Sequence, residues 1–398
     1  MQAPIQALTK RDTARLRRHA LTAQRLDSRA PFGAGPKATR AAIEHLGSLQ
    51  IDTISVVARA HHHIAWTRVP GFKPAHLHRL LGQRAIFEYR FPVAAFRPMA
   101  EFRYTLPHQA EFRGRGKSER RLMREVLARI EGEGPLRSRD FEAPPKRKGQ
   151  GWWDWKPAKR ALEQLYMQGD LMIAGRDGFQ KTYDLTERVL PDGVDVGMPT
   201  KADYADYLID STLRAHGFGA YTTFGFGGRW SNYAQALRAA LARRVDAGEL
   251  VVLQPADGKP IWAPPDLLDR RAAAPRGARV LSPFDPIVTQ RERLQAVFGF
   301  DYNIECFVPE PKRQYGYYCL PLLVRDSFVG RMDCKTHRDA GRFEIKALFI
   351  DAASADDYGP LAKAIRDYAR FEGTPEVTIT EAQPAAAGAA LADALKAL

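Results

Sequence analysis

One pattern occurs twice in this chain and restricts its fold more than any other feature. Residues 159–183 read KRALEQLYMQGDLMIAGRDGFQKTY, and residues 235–262 read QALRAALARRVDAGELVVLQPADGKPIW. Each stretch holds an amphipathic helix, a glycine followed by an acid, a short apolar strand, a turn containing Asp-Gly and a second strand. That is the pattern of a winged helix, a recognition helix followed by a β-hairpin wing. Residues 76–89, HLHRLLGQRAIFEY, repeat helix, glycine and strand without an Asp-Gly turn and read as part of a degenerate first copy.

The charge suits such a fold. Sixty Lys and Arg against 46 Asp and Glu leave a formal charge of +14, which favours a polyanionic partner. The competing reading is that the Arg and Ala richness reflects coding bias and leaves the charge uninformative. The basic residues interleave with aromatics, which favours nucleic acid. A chain of 398 residues is long enough for roughly two or three domains with substantial cores. Its three cysteines, Cys306, Cys319 and Cys334, form no CxxC, and no histidine stands at zinc-finger spacing, so structural zinc and iron–sulfur clusters are not expected. The sparse, odd count suits a reducing compartment. The first 20 residues lack an apolar signal core, and no apolar run reaches the ~18 residues of a membrane span. The expectation is a soluble, cytoplasmic, nucleoid-associated monomer with no membrane partner.

The predicted fold class is α+β, mainly α. Residues 8–46 read as helices broken by the loop APFGAGP at 30–36, and Ala42, Ile43, Leu46 and Leu49 follow helical spacing. After Gly47 the pattern alternates, so Gln50 and Asp52 face one way, about 6–7 Å apart, leaving Ile51 and Ile54 for the core. Residues 1–116 are then an N-terminal helical region with the first winged helix, and 117–199 a second winged helix with the basic loop 143–151 inserted. Residues 200–278 are a third, ending in a linker at 271–278. Residues 279–398 are a β-rich domain with terminal helices: strands at 317–324, 328–333 and 342–350, a turn at 338–341, a helix at 360–371, and an Ala-rich end at 384–398 that is a helix or a frayed tail.

Several clusters bear on function. Trp152 and Trp153, with Trp155, adjoin Lys156, Lys159 and Arg160 at the start of a recognition helix. The tryptophans either stack on bases and sugars or anchor the helix, while Lys156 and Arg160 are placed to meet phosphate. GFGGRW at 225–230 has no Gly-Lys-Ser/Thr ending and is not a P-loop. It is a structural loop, or a turn that brings Arg229 and a helix N-terminus to phosphate. His61, His62 and His63 are consecutive and cannot all face one metal from a regular element, so no metal is expected. His61 and His63, with Arg59, Trp66 and Arg68 around them, read as polar contact near DNA or as simple exposure. Arg291, Arg331 and Lys335 are further candidates for DNA contact. Phe284 and Asp285 read as residues that hold the C-terminal domain together. Gln50-Ile51-Asp52 is weak by itself, since an Asp after a helix is usually a cap or turn residue.

Three longer stretches give that motif meaning. LGSLQIDTISVVARAHHHIAWTRVPGF at 46–72, AIFEYRFPVAAFRP at 85–98 and the segment 281–348, which opens LSPFDPIVTQRERLQAVFGFDYNIECF, resemble the AlkZ/YcaQ family of winged-helix DNA glycosylases. The resemblance implies three tandem winged-helix units in a C-shaped clamp around duplex DNA, plus a C-terminal β-rich domain. It also implies hydrolysis of the N-glycosidic bond of alkylated purines, chiefly N7-alkylguanine. Gln50-Ile51-Asp52 matches the Gln-x-Asp motif of the YcaQ-like branch, which has broad specificity and unhooks interstrand crosslinks. The partner is then double-stranded DNA carrying alkylated or crosslinked purines.

The residue types suit that chemistry. N7-alkylation makes the base a good leaving group that needs no general acid. What remains is an oxocarbenium-like sugar and a water. A carboxylate at Asp52 stabilises the cation and orients or deprotonates the water, and Gln50 holds the water or the sugar. No lysine adjoins the motif, so a Schiff-base step is not suggested and a monofunctional hydrolase without cofactor is expected. A crosslinked base is hard to flip, which favours approach from the minor groove with the adduct left in the stack. Two other classes compete. Tandem winged helices also suit a non-enzymatic transcriptional regulator. Asp203, Asp206 and Asp210 have the helical spacing of either a nuclease metal site or a solvated face.

Overall fold

The computed structural model describes residues 5–115, 120–141, 156–225 and 231–398. Strand β1 (Gln6–Ala7) precedes α1 (Lys10–Ala23), whose first turn is closed by a capping box between Thr9 and Asp12. Helix α2 (Gly35–Leu46) follows, and Gly47 at φ +74° ends it, so the helical spacing stops short of Leu49 and the chain enters β2 (Leu49–Gln50). An irregular stretch leads to α3 (Ala60–Trp66), then α4 (Pro74–Gly82) and the hairpin β3 (Ile86–Arg90) and β4 (Ala94–Pro98). Helices α5 (Leu106–Arg115) and α6 (Arg120–Glu133) lead to β5 (Leu136–Arg137), α7 (Lys156–Met167) and the hairpin β6 (Leu171–Asp177) and β7 (Gln180–Leu185). After α8 (Thr186–Val189) and α9 (Lys201–His216) the order repeats: β8 (Gly219–Ala220), α10 (Tyr221–Phe224), α11 (Ser231–Asp246), β9 (Val251–Gln254) and β10 (Ile261–Ala263). The last part holds β11 (Ala278–Val280), α12 (Pro286–Thr289), α13 (Arg291–Arg293), β12 (Cys319–Val324), β13 (Ser327–His337), β14 (Arg342–Ile350), α14 (Tyr358–Phe371), β15 (Glu376–Gln383) and α15 (Ala385–Lys396). The molecule is mixed α+β.

The way three of these helices stop explains why strands follow them. Gly169 takes φ +83° after α7, and the Asp170 N–H donates to the Leu165 carbonyl at 2.9 Å. Gly248 takes +72° after α11, and the Glu249 N–H donates to the Arg244 carbonyl at 2.8 Å. A left-handed residue just past the last turn satisfies orphan carbonyls and swings the chain out of the helix. The first copy uses the same device with Arg84 at +56°, the Ala85 N–H donating to the Leu80 carbonyl at 3.0 Å. Gly82, which looks like the stop in the sequence, lies inside α4.

Sheet order is also repeated. The three small sheets run β2-β4-β3, β5-β7-β6 and β8-β10-β9, with β1 added parallel to β9 in the last. In each, the short strand before the helix pairs antiparallel with the second strand of the hairpin: Leu49 with Phe96, Leu136 with Tyr183, Ala220 with Ile261. The fourth sheet runs β11-β12-β13-β14-β15, antiparallel except for β15, which joins β14 in parallel. Its strands match those expected at 317–324, 328–333 and 342–350, the expected helices at 360–371 and near the end are α14 and α15, and β15 is additional.

The chain divides into two compact units, one of residues 1–34, 52–71 and 205–398, the other of residues 35–51 and 72–204. This differs from the four consecutive segments read from the sequence. In the first unit, Leu16, Ala20 and Leu21 of α1 pack with Phe218, Leu253 and Ile287, nearly 200 residues or more away in the chain. Val57 and Ala58 enter the core between the five-stranded sheet, α14 and α15. In the second unit, one core joins Phe87 and Tyr89 of β3 to Val126, Leu162, Tyr166 and Ile173. No helix among the described residues is long and apolar enough to cross a membrane.

Candidate active site

Burial alternates through the motif: Leu49 and Ile51 are buried, while Gln50 and Asp52 are half-buried. Gln50 is held by β2, whose register places it opposite Ala95, and the Ile51 N–H donates to the Ala94 carbonyl at 2.8 Å. The boundary between the compact units falls between Ile51 and Asp52. Asp52 opens a turn in which its Oδ1 accepts the Ile54 N–H at 2.7 Å, as a short carboxylate side chain does when it closes on its own backbone.

Asp52 forms no ion pair among the described residues. Its neighbours in charge are neutral acids. Burial and then the Asp52 carboxylate push the Cys306 thiol up. Burial also pushes the Tyr318 hydroxyl up, and Asp52 adds to that effect. The Asp52 carboxylate thus has a thiol and a phenol, and no cation, as its neighbours among the described residues. Such a group suits a cation that appears only during reaction.

The chain after Asp52 is tied down by residues the sequence did not single out. The Thr336 N–H on β13 donates to the Val56 carbonyl at 3.0 Å. Arg338 makes longer hydrogen bonds, at 3.4 Å to the Ser55 carbonyl and 3.5 Å to the Val57 carbonyl. Its guanidinium also pairs with Glu372 at 3.1 Å. The Glu372 carboxylate is almost fully buried and accepts from the Thr336 hydroxyl at 3.3 Å and from the Ala58 N–H. Burial pushes its pKa up, and Arg338 pulls the other way. Arg338 lay within the family-like segment 281–348. Glu372 lay beyond it, 320 residues from Asp52, and nothing in its local sequence marks it.

The other predicted site residues separate into three groups. The first is structural. Arg68 is fully buried, its guanidinium bidentate on Asp285 at 2.7 and 3.0 Å, and it also donates to the carbonyl and side-chain oxygens of Gln24. It is a core residue and not a DNA contact, while Asp285 holds its region together as the sequence suggested. His63 is fully buried, its Nε2 2.9 Å from the Val280 carbonyl and its ring stacked on Tyr368 at 4.3 Å. Burial lowers its pKa to about 4, so it is neutral and faces no phosphate. His61 is buried too, its ring 4.3 Å from that of His62. Trp66 is half-buried and packs on Tyr368 and Phe371. Arg331 is 5% exposed, sits over the rings of Tyr315 at 4.0 Å and Phe300 at 4.6 Å, and donates to the Asp301 carbonyl. Expectations of DNA contact at the buried Arg68, His61, His63 and Arg331 therefore give way to packing, while Trp66 keeps part of its surface exposed.

The second group is at the surface. Arg160 on α7 and Lys335 on β13 are exposed, and Arg59, at the start of α3, is half-buried. Arg291 is exposed and donates to Asn303 at 2.9 Å. The third group, Trp152, Trp153, Arg229 and the side chain of Lys156, lies outside the described residues.

The three acids that suggested a nuclease are structural. Asp203 caps α9 with Thr200, and Asp206 and Asp210 pair with Arg243 and Arg244 of α11. Among the described residues, no three His, Cys, Asp or Glu side chains gather as metal ligands.

The description "DNA glycosylase AlkZ-like" belongs to the family model that matches residues 43–371, from α2 to the end of α14. This chain belongs to the AlkZ-like DNA glycosylase family. The matched span includes Gln50, Asp52 and Arg338 and stops one residue short of Glu372. The fold is similar to that of the solved Streptomyces sahachiroi DNA glycosylase AlkZ, with a TM-score of 0.61 over 94% of this chain and 100% of that one, at 14% identity. A curated relative, tetraacyldisaccharide 4'-kinase of Aeromonas salmonicida (strain A449), is 30% identical over 174 residues. That match covers 43% of this chain, and the chain spans half the length of that relative.

Proposed function

We propose that this family member is a monofunctional DNA repair glycosylase of the Gln-x-Asp branch, acting on N7-alkylguanine and unhooking interstrand crosslinks. Asp52 stabilises the oxocarbenium-like sugar and orients the attacking water, while Gln50 holds that water or the sugar by hydrogen bonds. The observation that carries this reading is the Asp52 carboxylate at the family-matched motif, fixed by the Ile54 N–H and in no ion pair among the described residues. The strand order that recurs in three sheets supports reading each helix and hairpin as a winged helix that meets duplex DNA. Arg160, Arg291 and Lys335 are the exposed described cations we assign to phosphate, with Trp152, Trp153, Lys156 and Arg229 completing the candidate surface. The protein acts as a monomer in the cytoplasm.

A transcriptional regulator of the same fold would bind DNA without needing Asp52. The name of the Aeromonas relative suggests phosphoryl transfer instead. The sequence disfavours a phosphate-binding loop. Gly116-Lys117-Ser118 is preceded by Glu111 where the Gly-x4-Gly-Lys-Ser pattern requires its first glycine.

The test is release of free base from duplex DNA carrying N7-methylguanine, then from a crosslinked duplex. The expected products are free N7-methylguanine and an intact strand with an abasic site, formed equally with and without EDTA. Binding of the duplex without base release would return the protein to the regulator reading. Strand cleavage by the enzyme itself would contradict a monofunctional hydrolase.

A further inference from the structure

The unit built from residues 1–34, 52–71 and 205–398 holds a cleft of about 660 Å³ for which the proposed chemistry has no use. Its walls come from α14, from β11 and from the end of α3. Gly359, Lys363, Asp367 and Arg370 stand three or four residues apart and form one stripe along α14. Strand β11 is an outer strand of its sheet and, among the described residues, pairs with β12 alone, and residues 277–280 border the cleft. Trp66 supplies an aromatic wall, its ring stacked on Phe371 at 5.2 Å.

Charge in the cleft is not balanced. Arg29 and Lys363 share one carboxylate, that of Asp367, at 3.8 and 3.4 Å. Arg279 donates to the Ala278 and Ser28 carbonyls at 3.0 and 2.9 Å and forms no ion pair among the described residues. Burial, then the nearby Arg29 and Arg68, lower its pKa, with Asp27 opposing them. Arg370 adds a fourth, exposed cation. The walls also leave room: at Gly71, Gly277 and Gly359 a Cβ would meet no heavy atom within 4 Å. The Gly359 end is the first turn of a 14-residue helix, the end whose dipole favours an anion.

We infer that this cleft binds a phosphate ester of mononucleotide size, its phosphates on Arg279, Lys363 and Arg370 and its ring against Trp66. Arginine and lysine are the usual partners of phosphate oxygens, and a flat ring is the natural complement of an indole. The volume lies within the range of about 300–1,000 Å³ typical of pockets that enclose small ligands. A duplex instead presents its phosphates along an extended line, which a cleft of this size does not follow. The site stands independently of the glycosylase reading.

The test is calorimetric titration of the full chain with ADP and with inorganic pyrophosphate, for the wild type, for Lys363→Glu combined with Arg370→Glu, and for Gly359→Leu. Neither cation is buried, and the glycine is in a helix with open space beside it, so folding should be retained and is checked by thermal melting. ADP should bind, and pyrophosphate, which lacks the ring, about tenfold more weakly. Each variant should weaken ADP by about tenfold or more while base release from N7-methylguanine DNA stays unchanged. Absence of ADP binding at millimolar concentration, or equal binding by the folded variants, would overturn the inference. Displacement of ADP by stoichiometric duplex would assign the phosphate to DNA and also overturn it.

Discussion

Asp52 and Asp285 carry the same side chain in opposite surroundings. Asp285 is fully buried, takes a bidentate pair from Arg68 and accepts the Ile287 N–H, which leaves its charge fully committed. Asp52 accepts the Ile54 N–H and forms no ion pair among the described residues. Breaking a buried pair strands a charge, so Arg68→Ala should lower stability by about 3–5 kcal/mol in urea unfolding. A loss below about 1 kcal/mol would show that the pair is not structural. Arg84 gives the converse case. A non-glycine residue at φ +56° is strained, and Arg84→Gly should raise stability by about 1 kcal/mol, seen as a higher urea midpoint. An unchanged or lower midpoint would mean that contacts of the arginine outweigh the strain. At this scale the sequence misleads where residue type suggests surface. Arg68, Arg331 and His63 read as nucleic-acid ligands because their partners lie far off in the chain, Asp285 being 217 residues from Arg68.

Among the elements, the helices and hairpins were readable because their stops are local. Gly169-Asp170 and Gly248-Glu249 set both the end of a helix and the start of a strand. Strand β15 was not readable, since it is only partly buried, alternates poorly and forms by joining the edge of β14 in parallel. Strand β1 is two residues long and exists through pairing with β9, almost 250 residues away. Within the candidate site, alternation at 49–52 was legible, but the attachment of residues 55–58 to β13 and Glu372 was not, because it is wholly tertiary. That attachment has a kinetic consequence. Arg338→Ala should lower the rate of base release about tenfold or more with little change in DNA affinity, since it loosens the segment that positions Asp52. Arg338→Lys should recover part of the rate. Unchanged single-turnover rates in a folded Arg338→Ala protein would remove Arg338 from the positioning role.

For the molecule as a whole, the fold class and the family follow from features spread along the sequence: a positive charge, a repeated helix-and-hairpin pattern and matched segments at both ends of residues 43–371. The division into units was hidden, because the chain leaves and re-enters each one. Residues 35–51 belong with 72–204, and residues 52–71 belong with 205–398. Gln50 and Asp52 thus sit two residues apart in sequence but are assigned to different compact units. The most direct test is the single-turnover rate of base release from N7-methylguanine duplex by Asp52→Asn, with DNA affinity and thermal stability measured on the same protein. The account predicts a loss of about 100-fold or more with affinity and folding retained. A rate within about threefold of the wild type would contradict a catalytic Asp52 and leave it a turn residue, the role its bond to Ile54 already fills.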